Sequence, residues 1–333
     1  MFTDMPVAEL ERYQGSATEP TDFDKFWHRT LAEARLFPTT LHRAPVNAGL
    51  AMIDVEDVEF AGWGGHPIKA WMKTPRGSTG RLPTVIEYIG YNGGRGLPTE
   101  KLFWPAAGFA HLVVDSRAQG AGWSTGDTTD PVGSGPSVGG NATRGILDIE
   151  GYYYRRLITD AVRAVDAARR HPAVDPARIL LAGHSQGGGV ALIAASLTSG
   201  PLGVIAREPF LCDLGRGIAS SDESPFSEIA RYLRVHPDHE DAVLRTLSYV
   251  DVLNHAVRGA IPAWISVGLM DPICPPSGIY AAHHRWAGPK ELSVWRFGDH
   301  DGGGPHEDPL ALVFARHLLT SASTFVDSAP GGP

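Results

Sequence analysis

Only two cysteines, Cys212 and Cys274, occur in the 333 residues of the chain. Two such thiols support neither a disulfide framework nor a zinc-ligand spacing. Runs of basic residues are lacking as well, and the formal net charge is −8, so no nucleic acid and no anionic membrane is expected as a partner. No apolar stretch approaches the roughly 18 residues of a membrane span. Met1–Pro6 has neither the basic n-region nor the apolar h-region of a secretory leader, and the expected setting is a reduced, cytoplasmic one. The glycine-rich segments lack the G-x-G-x-x-G spacing of a dinucleotide site, so no cofactor is expected. No internal repeat is visible. The remaining composition, 43% apolar and 20% charged, is that of a globular protein with a sizeable core.

Against that background one stretch stands out. Arg178–Ala182 reads as a buried strand behind the Asp175-Pro176 turn, and Gly188–Ala195 as a helix of small residues. Between them lies Gly183-His184-Ser185-Gln186-Gly187. A serine flanked by glycines at a strand-to-helix turn is the nucleophile elbow of an α/β-hydrolase. The turn is sharp, and a Cβ on either side would collide with its neighbours. The bend lifts the Ser185 hydroxyl out of the sheet and points the Gln186 N–H into the same space.

Periodicity organises the rest. Phe23, Phe26, Trp27 and Leu31 mark a helix from Asp22 to Arg35 within an N-terminal extension over residues 1–45. Residues 55–60 and 68–73 alternate at period two around Gly62–Gly65, a hairpin. Strands are expected at 84–89, 111–115, 203–206, 262–268 and 291–297, and helices at 152–170 and 310–319. Residues 125–141 read as a long Gly/Pro/Ser-rich surface loop. Residues 213–259 show helical periodicity without a strand, an insertion beside the site. The resulting expectation is one α/β domain over residues 1–320, with a mostly parallel central sheet and helices on both faces, followed by a disordered tail over 321–333.

A serine hydroxyl needs a base within hydrogen-bond reach and a carboxylate to orient that base. In this fold the order is serine, acid, histidine, the last two after late strands. Asp271 follows the strand ending at Gly268, and His300 follows the strand ending at Phe297. Asp251 is the main rival acid. Among fourteen histidines, His184 lies beside the nucleophile but faces away from its Oγ. His236-Pro237-Asp238-His239 resembles a metal pair without a third ligand, so no metal site is expected. The loop Gly90–Gly96 follows the third predicted strand, where the second oxyanion-hole N–H arises; Tyr91 is placed there as donor and substrate-binding residue.

With these residues placed, the chain resembles the acetyl xylan esterase/cephalosporin C deacetylase family of α/β-hydrolases, carbohydrate esterase family 7. The matching stretches include Tyr88–Gly96, Arg144–Asp148, Tyr152–Arg156, Gly183–Gly189, Arg245–Tyr249 and Ser266–Ser277. The resemblance implies Ser185 as nucleophile, Asp271 as acid, His300 as base and the Tyr91 and Gln186 amides as oxyanion hole. It further implies a metal-independent cytoplasmic homo-hexamer whose sites face a central cavity, acting on small acetylated carbohydrates or on the antibiotic cephalosporin C. Two positions depart from the family pattern: Ala118 in Arg117-Ala118-Gln119, where the family has glycine, and Asp301 beside His300, where it has glutamate. Asp301 keeps the charge but is one methylene shorter, so a salt bridge made by the family's glutamate, with Arg117 as its partner, has to be rebuilt here. Lipase or peptidase chemistry on the same scaffold, and a binding protein without activity, are the alternative readings; no strongly apolar lid helix in 213–259 favours the lipase.

Overall fold

The computed structural model describes Phe2 and residues 4–133 and 135–327, with the backbone alone over 322–327. Nine strands form one sheet: β1 (His42–Val46), β2 (Ile53–Ala61), β3 (Pro67–Pro75), β4 (Leu82–Tyr88), β5 (Ala110–Val114), β6 (Val174–His184), β7 (Gly203–Arg207), β8 (Ala263–Gly268) and β9 (Lys290–Trp295). Their spatial order is β1-β2-β3-β5-β4-β6-β7-β8-β9. From β5 through β9 every neighbouring pair is parallel, while β1, β2 and β3 join antiparallel. The predicted hairpin is β2–β3, closing with Ala61 opposite Pro67.

The parallel strands are apolar on both faces because helices cover both. Along β6, Ile179 and Leu181 join the larger core with the helices Tyr153–Ala168 and Gln186–Leu197, while Leu180 and Ala182 join Phe314 and Ala315 of the final helix. Period-two side-chain alternation therefore divides one strand between two cores. The predicted N-terminal helix spans Phe23–Arg35 and buries Phe23, Phe26 and Trp27 against the helix Val252–Ala256 and Tyr249. Strand β1 is an addition to the sequence expectation. It is exposed along nearly its whole length and contains Pro45, so it carries no alternating signal and occupies the edge where a proline is tolerated.

Residues 213–259 form four helices, Leu214–Ser220, Phe226–Val235, Glu240–Ser248 and Val252–Ala256. They leave the sheet after β7 and return at β8. The segment 116–152 carries no regular element among its described residues, yet it is tied down. The Asp115 carboxylate at the end of β5 accepts the amides of Arg95, Asp127 and Thr128, each at 2.9 Å. The last helix runs Glu307–Asp327, beyond the expected boundary at Leu319. The first seven residues of the expected disordered tail (321–327) therefore include helix, and the remainder, 328–333, lies outside the described residues.

Candidate active site

Strand β6 ends at His184, and Ser185 turns the chain into the next helix with φ of +57° and ψ of −122°. A non-glycine residue there carries about 1–3 kcal/mol of strain, which surrounding structure must sustain. It does so through the backbone: the Ser185 amide donates to Arg207 O at 2.9 Å, and the Ser185 carbonyl accepts from Gly189 N at 3.1 Å and Phe210 N at 2.9 Å. The steric reading of the glycines also has a measure. A Cβ on Gly183 would stand 2.2 Å from the Gly187 carbonyl, and one on Gly187 would stand 2.1 Å from Tyr88 O.

The structure brings Ser185, His300 and Asp271 into one line. Ser185 Oγ lies 2.9 Å from His300 Nε2, and His300 Nδ1 lies 2.8 Å from Asp271 Oδ2. Asp271 follows β8, is fully buried, and accepts the amides of Ile273 and Cys274 at 2.8 and 2.9 Å on its other oxygen. A carboxylate so held accepts a hydrogen bond from Nδ1–H, which leaves Nε2 as acceptor for the serine hydroxyl. The His184 ring has a use of its own. Nε2–H donates to the His300 carbonyl at 2.7 Å, with the two rings 4.8 Å apart.

Two backbone amides border the serine. Gln186 is the first residue of its helix, so its N–H is one of the donors that have no intrahelical acceptor and lies at the positive end of the helix dipole. Tyr91 stands in the loop after β4. Its side chain is buried, and its hydroxyl donates to Glu228 Oε2 at 2.6 Å while accepting the amides of Asn141 and Ala142 at 2.6 and 2.9 Å. The ring is thus a post joining three segments, and the part of Tyr91 left for a ligand is its backbone. Gln119 ties this loop to the elbow. Its Oε1 accepts Asn92 N at 2.6 Å, and its Nε2 donates to Tyr153 Oη at 2.7 Å and Gln186 Oε1 at 3.0 Å. Sequence reasoning gave no role to Gln119, Glu228 or Trp123. Their partners lie 27 and 137 residues away for the first two, and no local pattern announces such contacts.

The rival assignments separate on geometry. Asp251 caps the helix Val252–Ala256 and accepts the amides of Asp213, Leu214 and Leu253; burial pushes its carboxyl up to about 7. His236 and His239 stack on one another, and His239 Nδ1 faces the Tyr232 hydroxyl at 2.9 Å. Among the described residues, the group of three potential metal ligands is Asp271, Cys274 and His300, with ligand atoms within 4.8 Å. Two of its members are hydrogen-bonded to each other, and burial pushes the Cys274 thiol up, so this donor set suits proton transfer rather than a cation.

Arg117 has partners other than residue 301. Arg117 is fully buried, with Nε and Nη2 on Asp160 at 2.5 and 2.7 Å and Nη1 on Asp130 at 3.0 Å. All three of its nitrogens are engaged by those aspartates, and Asp301 is exposed at the pocket rim. Ala118 takes φ of +56°, the conformation in which alanine is strained relative to glycine.

The serine opens into a cavity of about 530 Å³ lined by Trp123, Pro225, Ile273, Asn92, His300 and Asp301 among others. Trp123 is 61% exposed, and its indole N–H donates to Tyr91 O at 2.7 Å.

Comparison with known proteins places this geometry. The family model described as acetyl xylan esterase (AXE1) matches residues 1–318. An acetyl xylan esterase from Paenibacillus sp. R4 is 37% identical with a TM-score of 0.89, over 94% of this chain and 99% of that one. Acetyl xylan esterase 1 from Thermoanaerobacterium sp. JW/SL YS485 is 32% identical with a TM-score of 0.86, over 95% and 99%. Acetyl esterase Axe7A of Xylanibacter ruminicola is 25% identical over 287 residues, 84% of this chain and 63% of its own length. The chain thus spans less than two thirds of the curated relatives it matches. With the family model matched over residues 1–318, and with both solved relatives covering 94% and 95% of its length, the chain belongs to the acetyl xylan esterase family.

Proposed function

We propose that the protein is a serine carboxylesterase that removes acetyl groups from O-acetylated xylo-oligosaccharides, cephalosporin C and similar small acetate esters. The observation that carries this reading is the hydrogen-bonded line Ser185–His300–Asp271, with contacts of 2.9 and 2.8 Å, opening onto a solvent-connected cavity. Ser185 Oγ attacks the acetyl carbonyl carbon while His300 Nε2 takes its proton. Asp271 keeps the imidazole in the tautomer that accepts at Nε2 and stabilises the imidazolium as it forms. The carbonyl oxygen becomes an oxyanion between the amides of Gln186 and Tyr91, each donor contributing about 3–4 kcal/mol in enzymes of this kind. His300 then returns the proton to the departing alcohol. Water, activated by the same base, attacks the acetyl-serine and releases acetate. No cofactor or metal enters this scheme. The proposal extends to a cytoplasmic homo-hexamer, supported by the family resemblance, and light scattering reads its mass directly.

Hydrolysis of p-nitrophenyl acetate, butyrate and octanoate by wild type and Ser185→Ala tests the reading. Activity is expected to fall steeply beyond acetate, and the variant to lose about 10⁵–10⁶-fold in kcat. Strong octanoate turnover points to a lipase instead, and retained activity in the variant sinks the nucleophile assignment.

A further inference from the structure

Behind the loop that carries His300, two carboxyl groups are buried against each other. Glu208 follows β7 and is fully buried; Glu307 opens the final helix and is 1% exposed. The Ser266 hydroxyl on β8 lies between them, its Oγ 3.0 Å from Glu208 Oε1 and 3.1 Å from Glu307 Oε2. A hydroxyl has one proton to donate. With both carboxyls ionised, one of these two contacts would set a lone pair against a carboxylate. The second contact needs a carboxyl O–H.

The surrounding charges agree. From β7, Arg207 Nε faces Glu307 Oε2 at 3.4 Å, but its Nη2 is on Asp308 of the final helix at 2.7 Å. From the end of β8, Asp271 adds negative field at Glu208. From β6, His184 Nε2 is 3.7 Å from Glu208 Oε2, with its N–H directed at the His300 carbonyl. On the loop itself, His300 turns to Ser185 and Asp301 to the pocket. One guanidinium therefore serves three carboxyl groups. Burial, then the neighbouring Glu307, pushes Glu208 up to about 9, and burial raises Glu307 as well.

The pair also touches the catalytic loop. Glu307 Oε1 accepts the Gly303 amide at 3.2 Å. Gly302, at φ of +57°, sits so close that a Cβ there would be 1.9 Å from Glu208 Oε1 and 2.7 Å from Glu307 Oε1. We propose that Glu208 and Glu307 share one proton and, as a singly charged pair, act as positioning residues that support the His300 loop from below. The inference rests on His300 being the base. Loss of the shared proton sets two anions against each other under Gly302 and Gly303, displaces the loop, and lowers turnover at alkaline pH. A serine–histidine site without such a support keeps a plateau there.

Infrared spectra and pH profiles of wild type, Glu208→Gln, Glu307→Gln and Glu208→Ala test this. At pH 7 the wild-type minus variant difference spectrum is expected to show, for both Gln variants, one protonated-carboxyl carbonyl stretch beyond the background that buried Asp251 gives in every protein. In p-nitrophenyl acetate hydrolysis, wild-type kcat is expected to fall above about pH 9. Glu208→Gln, with a permanent N–H in place of the O–H, is expected to extend the plateau. Glu208→Ala is expected to lower kcat at least tenfold with KM little changed, and the Gln variant to restore it. A protonated-carboxyl intensity in both Gln variants equal to that of wild type overturns the shared proton. A flat wild-type profile, or the same alkaline fall in Glu208→Gln, overturns the coupling to turnover. If wild type turns over no acetate ester, the parent reading fails, and the infrared comparison still decides the pair by itself. The same comparison stands if Glu208→Ala does not fold.

Discussion

Ala118 adopts φ of +56° at an exposed position, so its methyl contacts little and its backbone is strained. The left-handed conformation costs a non-glycine residue roughly 1–2 kcal/mol. Glycine removes that cost and adds some unfolded-state entropy in return. Ala118→Gly is therefore expected to raise stability by about 1 kcal/mol, a gain of a degree or two in Tm for a chain of this size, read by thermal melting. The motif around it holds regardless, because Arg117 and Gln119 on either side are each anchored by several hydrogen bonds. A drop in Tm on making Ala118→Gly would mean that the methyl packs against something it is not seen to touch. This position shows how a departure from a family pattern becomes legible: the alanine could be named in the sequence, but its sign needed a dihedral angle.

At the scale of elements, the N-terminal helix Phe23–Arg35 and the helix Val252–Ala256 meet over His255. That ring is fully buried between Phe23 and Trp27, with Nε2 3.1 Å from Tyr249 O and Nδ1 3.0 Å from Ser196 Oγ on the elbow helix. Burial pushes its imidazole down to about 3. The folded protein keeps the ring neutral, whereas the unfolded chain binds a proton below about 6.5. Stability is complete above that value and declines as pH falls towards 3, by up to about 1.4 kcal/mol per unit. Thermal melts between pH 7 and 4 are expected to show a steeper acid loss in wild type than in His255→Gln; equal slopes would remove this residue from the acid response. Helices such as this one were only partly readable in advance. Phe23, Phe26 and Trp27 announce themselves by spacing, and Ile179–Ala182 by an unbroken apolar run, since each signal lies within one segment. Strand β1 gives no such sign, because an edge strand in solvent has no face to bury.

For the molecule as a whole, what could be read in advance and what could not divide along chain distance. The elbow is a five-residue signal, and the positions of Asp271 and His300 follow from counting strands. The sheet order places β5 outside β4 and next to antiparallel β3, an arrangement set by long-range pairing that no window of sequence contains. Glu208 and Glu307 meet across roughly a hundred residues for the same reason. The distribution of tryptophans has its own consequence. Of eight indoles in the chain, Trp123 is the exposed one, at 61%, and it stands at the mouth of the site with its N–H on the carbonyl of Tyr91. The protein therefore carries an optical gauge of its own pocket. Iodide is expected to quench a larger fraction of the emission in wild type than in Trp123→Phe, where only half-exposed or buried indoles remain, and that difference is expected to shrink when an ester or a phosphonate occupies Ser185. Occupancy of the site can then be followed in real time with no label attached.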